Sequence, residues 1–106
     1  DFVFYCPGNP QTVPFAGTFL GATGLQLWLD GYFSVFTRQA PQELEFTTGS
    51  DAVVARWMEH CSIGKTPCRP IRISMYFRFR DGLIVRIDND CDTKTCEDAI
   101  VNAQRQ

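Results

Sequence analysis

The stretch of residues 71–91, IRISMYFRFRDGLIVRIDNDC, constrains the fold most strongly. Apolar side chains alternate with polar or charged ones on both sides of Asp81-Gly82, and a period of two is typical of strands with one buried face. Asp-Gly favours a two-residue type I′ turn, which needs positive φ angles at both positions. We therefore predict two long antiparallel strands. Their apolar faces are Ile71, Ile73, Met75, Phe77 and Phe79 on the first, and Leu83, Val85, Ile87 and Cys91, with the polar Asn89 among them, on the second.

Other patterns predict two helices and further strands. Residues 22–37 place a wide apolar stripe on one helical face: Leu25, Trp28, Leu29, Tyr32, Phe33 and Phe36. Gly31 costs that helix up to about 1 kcal/mol relative to alanine, so packing must hold it together. We expect a final helix over 93–104, strands at 1–6, 42–48 and 52–61, a short extended piece within 15–21, and loops at 7–14 and 62–67. Segregated strands and helices predict an α+β fold in one domain, residues 1–106.

Composition excludes several function classes. The chain has 106 residues and a formal net charge of −2, with its basic residues scattered, so we expect no nucleic-acid partner. No apolar run approaches about 18 residues, and we expect no membrane contact. The chain opens directly on DFVFYC, which reads as a strand rather than a signal peptide. We therefore expect a cytoplasmic protein.

The five cysteines are an odd number and form no CxxC pair. A secreted disulfide framework normally uses an even number. We therefore expect reduced, mostly buried thiols, as in cytoplasmic proteins. A disulfide between Cys61 and Cys68, which flank a short loop, stays open as an alternative.

The acidic segment RIDNDCDTKTCED, residues 86–98, resembles a calcium loop only superficially. Counted from Asp88, a calcium loop needs glycine at position 6 and glutamate at position 12, but these positions hold Thr93 and Ala99. The spacing of the cysteines in this segment does not fit zinc either. We expect no metal and no cofactor, and we predict that Asp92 caps the final helix.

Several segments together resemble SnoaL-like proteins of the nuclear transport factor 2-like superfamily. MYFRFRDGLIVRIDNDCDTKTCEDAI resembles their closing hairpin and last helix, and YCPGNP, PFAGTFLG, TGLQLWLDGYFSVF and VVARWMEH resemble earlier elements. The resemblance implies a curved, mostly antiparallel sheet wrapped around helices into a cone, with an apolar pocket inside and a homodimer through the outer sheet face. Members normally have one or two helices before the first strand. The sequence here opens on the segment that resembles that first strand. We therefore expect a more open pocket, or one that a partner chain covers.

The superfamily contains isomerases, dehydratases, cyclases, epoxide hydrolases and proteins without catalysis, so the fold alone does not select a function. By resemblance, the general base of ketosteroid isomerases falls on Cys6 and their oxyanion-hole acid on Met75. The arginine and two aspartates of limonene-epoxide-hydrolase-like sites fall on Trp57, Glu59 and Asn89. The resemblance thus implies that neither acid of the ketosteroid isomerase site is present. Of the two acids of the epoxide-hydrolase-like site, it implies that only one is present, as Glu59.

Glu59 and Asn89 are the candidate catalytic residues. Glu59 would be a carboxylate among aromatic side chains and could move protons between substrate atoms, unless it lies solvated at a strand end. The expected ligand-binding residues are Trp57, Tyr76, Trp28, Phe33, Cys6, Met75 and Ile87. We predict a homodimer that binds a small, mostly apolar molecule, with cofactor-free acid–base chemistry if it is an enzyme. The alternative is a non-catalytic binding or dimerisation module.

Overall fold

A computed structural model describes residues 2–104, which form nine strands and two helices. In chain order the elements are β1 (Val3–Cys6), β2 (Gly17–Leu20), α1 (Gly21–Val35), β3 (Thr37–Arg38), β4 (Gln42–Thr48), β5 (Ala52–Glu59), β6 (Cys61–Ile63), β7 (Thr66–Pro67), β8 (Ile71–Arg80), β9 (Leu83–Cys91) and α2 (Thr93–Gln104). Six strands make one sheet in the order β2-β1-β9-β8-β5-β4, in which only the β1–β9 pair is parallel. This mostly antiparallel sheet with two helices confirms the predicted α+β class.

The β8–β9 hairpin forms as predicted around Asp81 and Gly82, whose φ angles are 52° and 78°. Its face assignment needs one correction. Arg78 pairs with Arg86 and Phe79 with Ile84, so Val85 is an extra, bulged residue. A bulge reverses the side-chain alternation beyond it. Leu83 therefore does not share the inner face with Ile87 and is 71% exposed, and the prediction that grouped them was wrong.

A second, three-stranded sheet has the order β3-β6-β7. The predicted loop at 62–67 is instead a tight hairpin through Gly64, and the predicted strand 52–61 is interrupted at His60. Such two- and three-residue strands carry too little periodicity to be recognised from sequence. This small sheet pairs Arg38 with Cys61, which brings β3 close to the end of β5. All five cysteines, including Cys61 and Cys68 at the base of the hairpin, are free thiols.

Helix α1 packs its predicted aromatic face into the core, ending at Val35 rather than residue 37. Trp28 and Tyr32 are buried, and their rings lie 4.6 Å from Phe4 and 5.3 Å from Phe15, centroid to centroid. A Cβ at Gly31 would lie only 3.2 Å from the Phe15 Cβ. Glycine therefore lets the helix approach this aromatic residue closely, and the contact offsets its poor helix propensity.

Helix α2 begins after Asp92, as predicted. The Asp92 carboxylate accepts hydrogen bonds from the Thr95 hydroxyl at 2.7 Å and from the Thr95 backbone N–H at 3.2 Å. These two bonds lower the pKa of Asp92, because they stabilise the charged form of a helix cap. Neither this helix nor any other in residues 2–104 is long and apolar enough to cross a membrane.

Candidate functional site

A cavity of about 270 Å³ lies between α1 and the inner face of the large sheet. Most of its lining is aliphatic or aromatic, contributed by α1, β1, β8 and β9. Phe33 is on this lining and is 52% exposed, so the cavity opens toward solvent on the side of α1. Seven of the nine predicted site residues line it: Trp28, Phe33, Trp57, Glu59, Met75, Ile87 and Asn89.

Strand register explains why these side chains converge. Asn89 is paired across the sheet with Met75, and Ile87 with Phe77, so all four point to the same face. Trp57 and Glu59 lie two residues apart on β5, which gives them the same orientation. The predicted alternation of odd-numbered residues therefore holds in the central part of the sheet, where the cavity is.

Glu59 is the buried polar centre of one end of the cavity, with only 2% of its surface exposed. The Tyr32 hydroxyl donates to Oε2 at 2.6 Å, while the Trp57 Nε1–H and the Arg38 Nε–H donate to Oε1 at 3.0 and 2.9 Å. The alternative of a solvated Glu59 is therefore wrong. Three donors, one of them a cation, replace the hydrogen bonds to water that the carboxylate loses on burial.

Tyr32 and Arg38 belong to this site but were missed by sequence analysis. Tyr32 was grouped with the helical core stripe, and nothing in the sequence around Arg38 distinguished it from other surface cations. Burial, followed by the hydrogen bond to Glu59, raises the pKa of Tyr32 well above its ordinary range. The tyrosine is therefore held as a neutral hydroxyl that donates to the carboxylate.

Asn89 forms a second polar spot on the cavity wall and is 5% exposed. Its Nδ2 lies 3.7 Å from the Cys6 sulfur, to which it donates a weak hydrogen bond, while its Oδ1 has no hydrogen-bond partner among the described residues. Cys6 itself is 1% exposed and is not part of the lining. Burial raises the pKa of the Cys6 thiol, which keeps the sulfur neutral.

Tyr76 lies on the other face of the sheet from Met75 and Phe77. It is 38% exposed, and its cross-strand neighbour on that outer face is Asp88. The prediction that it contributes to the pocket was wrong, because even-numbered residues of β8 point away from the cavity. Cys6 supports the wall from behind rather than forming it.

No protein-family model matches the chain, and no curated protein matches its sequence. Solved structures do match its fold. A nuclear transport factor 2-like protein from Burkholderia xenovorans LB400 superposes with a TM-score of 0.80 at 20% identity, over 94% of this chain and 75% of that one. TerC, co-crystallized with polyporic acid, gives 0.77 at 24% identity over 95% and 78% of the two chains. A candidate isomerase from Rhodopseudomonas palustris gives 0.77 at 14% identity over 100% and 77%.

These similarities show that the chain has the nuclear transport factor 2-like fold, the cone architecture that the sequence resemblance implied. At such low identity they establish the fold and leave the activity to be argued from the site.

Tyr32→Phe should lower the free energy of unfolding by about 1.5–3 kcal/mol, because it removes a hydrogen bond to a buried charged group. Tyr76→Phe is the matched control, since it removes a hydroxyl on the outer face, and should change stability by less than about 0.5 kcal/mol. Urea denaturation at neutral pH measures both. Equal effects of the two substitutions would contradict the arrangement around Glu59.

The same pair of variants tests the raised pKa of Tyr32. An unfolded tyrosine ionises near its ordinary pKa of about 10, whereas the folded protein keeps the Tyr32 proton. The folded state thus binds more protons above that pH, and stability falls as pH rises. The wild type and Tyr76→Phe should lose stability faster above this pH than Tyr32→Phe does.

Proposed function

We propose that this protein binds a small, mostly apolar molecule in the cavity between α1 and the sheet. The observation that carries the proposal is the separation of an apolar lining from two confined polar spots, Glu59 with its donors and Asn89. Cavities of this kind fix an apolar ligand by burial and orient it by a few polar groups. The structural neighbour that was co-crystallized with polyporic acid supports ligand binding in this fold.

The charge balance of the cavity favours a ligand without net charge. Arg38 is the one cation on the described lining, and Glu59 is the one anion. Their side chains form an ion pair of 2.9 Å, so each largely cancels the field of the other. Burying an additional charge there would be costly, because the groups that could pair with it already pair with each other.

Met75→Trp should abolish binding of an apolar ring compound such as phenanthrene, because the larger side chain fills the cavity. Tyr76→Trp is the matched control, placing the same ring one residue later on the outer face. Thermal unfolding should show wild type and Tyr76→Trp stabilised by phenanthrene, by about 2.7 kcal/mol at a ligand concentration 100 times Kd. Failure of phenanthrene and of related ring compounds to stabilise the wild type would refute the binding proposal.

A second candidate function is cofactor-free acid–base chemistry of the isomerase, dehydratase, cyclase or hydrolase type. The observation that favours it is the 2.6 Å hydrogen bond between Tyr32 and Glu59 at the wall of an apolar cavity. A positioned carboxylate and hydroxyl can take and return a proton on one face of a bound ketone. The three donors to Glu59 occupy the oxygens that would have to take a proton from a substrate. Ligand binding without catalysis is therefore the first candidate function.

Deuterium exchange at the acidic C–H of 2-tetralone separates these two functions. If Glu59 is a general base, the wild type should exchange this proton about 10²- to 10⁴-fold faster than Glu59→Gln, a range typical of a positioned base. Proton NMR in heavy water follows the loss of the signal. A wild-type rate equal to that of Glu59→Gln would eliminate the catalytic candidate and leave ligand binding unaffected.

We further propose that the protein is a cytoplasmic homodimer that associates through the outer sheet face. On that face Tyr5 and Tyr76 flank Asp88 in one cross-strand row, and the two tyrosines are 40% and 38% exposed. Aromatic side chains with a polar tip are frequent at interfaces. Light scattering at micromolar concentration should give the mass of two chains, reduced to one by Tyr76→Arg. A wild type with the mass of one chain would exclude the dimer.

A further inference from the structure

Two cysteines face each other across the small hairpin that β6 and β7 form. The register pairs Ser62 with Pro67, so the next pair away from the turn is Cys61 and Cys68. A backbone hydrogen bond of 3.0 Å from the Cys68 N–H to the Cys61 carbonyl confirms this alignment. Directly opposed residues of antiparallel strands carry their side chains on the same face. The two thiols are therefore neighbours.

The backbone has the spacing that a disulfide needs. Opposed residues of antiparallel strands have Cα atoms about 4.5–5.5 Å apart, and disulfides join Cα atoms about 4.4–6.8 Å apart. The thiols themselves also interact: burial, and after it the charge and the hydrogen bond of Cys68, raise the pKa of the Cys61 thiol. A disulfide can therefore form here without any change in strand pairing.

The two thiols differ in their access to solvent. Cys61 is 5% exposed, whereas Cys68 is half-buried and belongs to the lining of a cleft of about 270 Å³ between this hairpin and α2. A reagent that enters the cleft reaches Cys68 before Cys61. An accessible cysteine next to a second, resolving cysteine is typical of redox-sensing sites.

We propose that Cys68 and Cys61 form a reversible redox pair that reacts with small organic disulfides such as oxidised glutathione. The Cys68 thiol gives its proton to water, and its sulfur attacks one sulfur of the glutathione disulfide. That S–S bond breaks, and one glutathione leaves and takes up a proton. The Cys61 thiol then loses its proton in the same way, attacks the Cys68 sulfur and releases the second glutathione. Two protein thiols are thus oxidised, and one glutathione disulfide is reduced to two thiols.

The new bond would lie next to the Glu59 site, although the inference does not rest on the proposed binding function. Cys61 is paired on its other side with Arg38 of β3, whose side chain donates to Glu59 at 2.9 Å. A bond between Cys61 and Cys68 closes a short covalent ring around Gly64. It thereby restrains β6, the strand that positions Arg38.

Oxidised glutathione tests the pair on the folded wild type. After the reaction is stopped by alkylation with N-ethylmaleimide in denaturant, intact mass spectrometry should show no attached glutathione and alkylation at every cysteine except Cys61 and Cys68. Trypsin cuts at Lys65, between the two cysteines, so the disulfide should link two peptides that otherwise separate. Dithiothreitol should restore both thiols. In urea, the unfolding equilibrium constant of the oxidised chain should be about ten-fold or more below that of the reduced chain.

Variants separate the attacking and the resolving role. Cys61→Ala should retain one glutathione at Cys68, because the resolving thiol is gone. Cys68→Ala should form neither a disulfide nor a mixed disulfide at Cys61, which the reagent does not reach. Cys91→Ala is the matched control and should oxidise like the wild type, since Cys91 is also half-buried but lies opposite Ile73 rather than a cysteine. If Cys61→Ala does not fold, the peptide map of the wild type and Cys68→Ala decide the matter.

Several results would overturn the pair. They are a wild type that does not react, a wild type that keeps a glutathione on Cys68, and a map that joins Cys68 to Cys96, the thiol near it on α2. Oxidation of Cys68→Ala at the wild-type rate would overturn the role of Cys68 as the attacking thiol. An oxidised chain that unfolds in urea as readily as the reduced one would overturn the restraint on the hairpin.

Discussion

The buried carboxylate of Glu59 is the interaction on which the candidate site depends. Taking a charge out of water costs several kcal/mol unless partners replace the lost hydration. Here the partners come from three elements: Tyr32 from α1, Arg38 from β3 and Trp57 from β5. One carboxylate therefore connects the helix, the small sheet and the large sheet at the edge of the cavity. Each donor is oriented by its hydrogen bond to that carboxylate.

This arrangement gives the cavity two unlike ends. At the Glu59 end, three donors satisfy the carboxylate, and the Arg38–Glu59 ion pair leaves that end close to neutral in total charge. At the Asn89 end, the Asn89 Oδ1 accepts no hydrogen bond from residues 2–104. Aromatic and aliphatic side chains separate the two ends. Under the proposed binding function, such a cavity would bury an apolar body and orient it through a few polar atoms.

Sequence reasoning succeeded where structure is local or strictly periodic. The alternation around Asp81-Gly82 correctly predicted the central hairpin and placed Asn89 and Met75 on one wall, and the helical spacing placed Trp28 there. It failed at Leu83, because a single bulged residue reverses the alternation and leaves no sequence signal of comparable strength.

The polar end of the site could not be predicted, because it is made by contacts between distant residues. Tyr32 and Arg38 lie 27 and 21 positions before Glu59 in the chain. Arg38 is brought to Glu59 by the pairing of β3 with β6, and Tyr32 by the packing of α1 against the aromatic core. Whether a carboxylate at a strand end is solvated or buried depends on what folds over it. That is decided here by a two-residue strand, which has no periodicity to read.

The indole N–H signals of the two tryptophans test this account most directly, because the chain contains only Trp28 and Trp57. In a proton–nitrogen correlation spectrum, replacing Glu59 by glutamine removes the charge that accepts from Trp57 but leaves Trp28 unchanged. The account predicts that the Trp57 indole signal moves markedly while the Trp28 signal stays in place. A Trp57 signal that does not respond to the loss of the carboxylate would contradict the central role of Glu59.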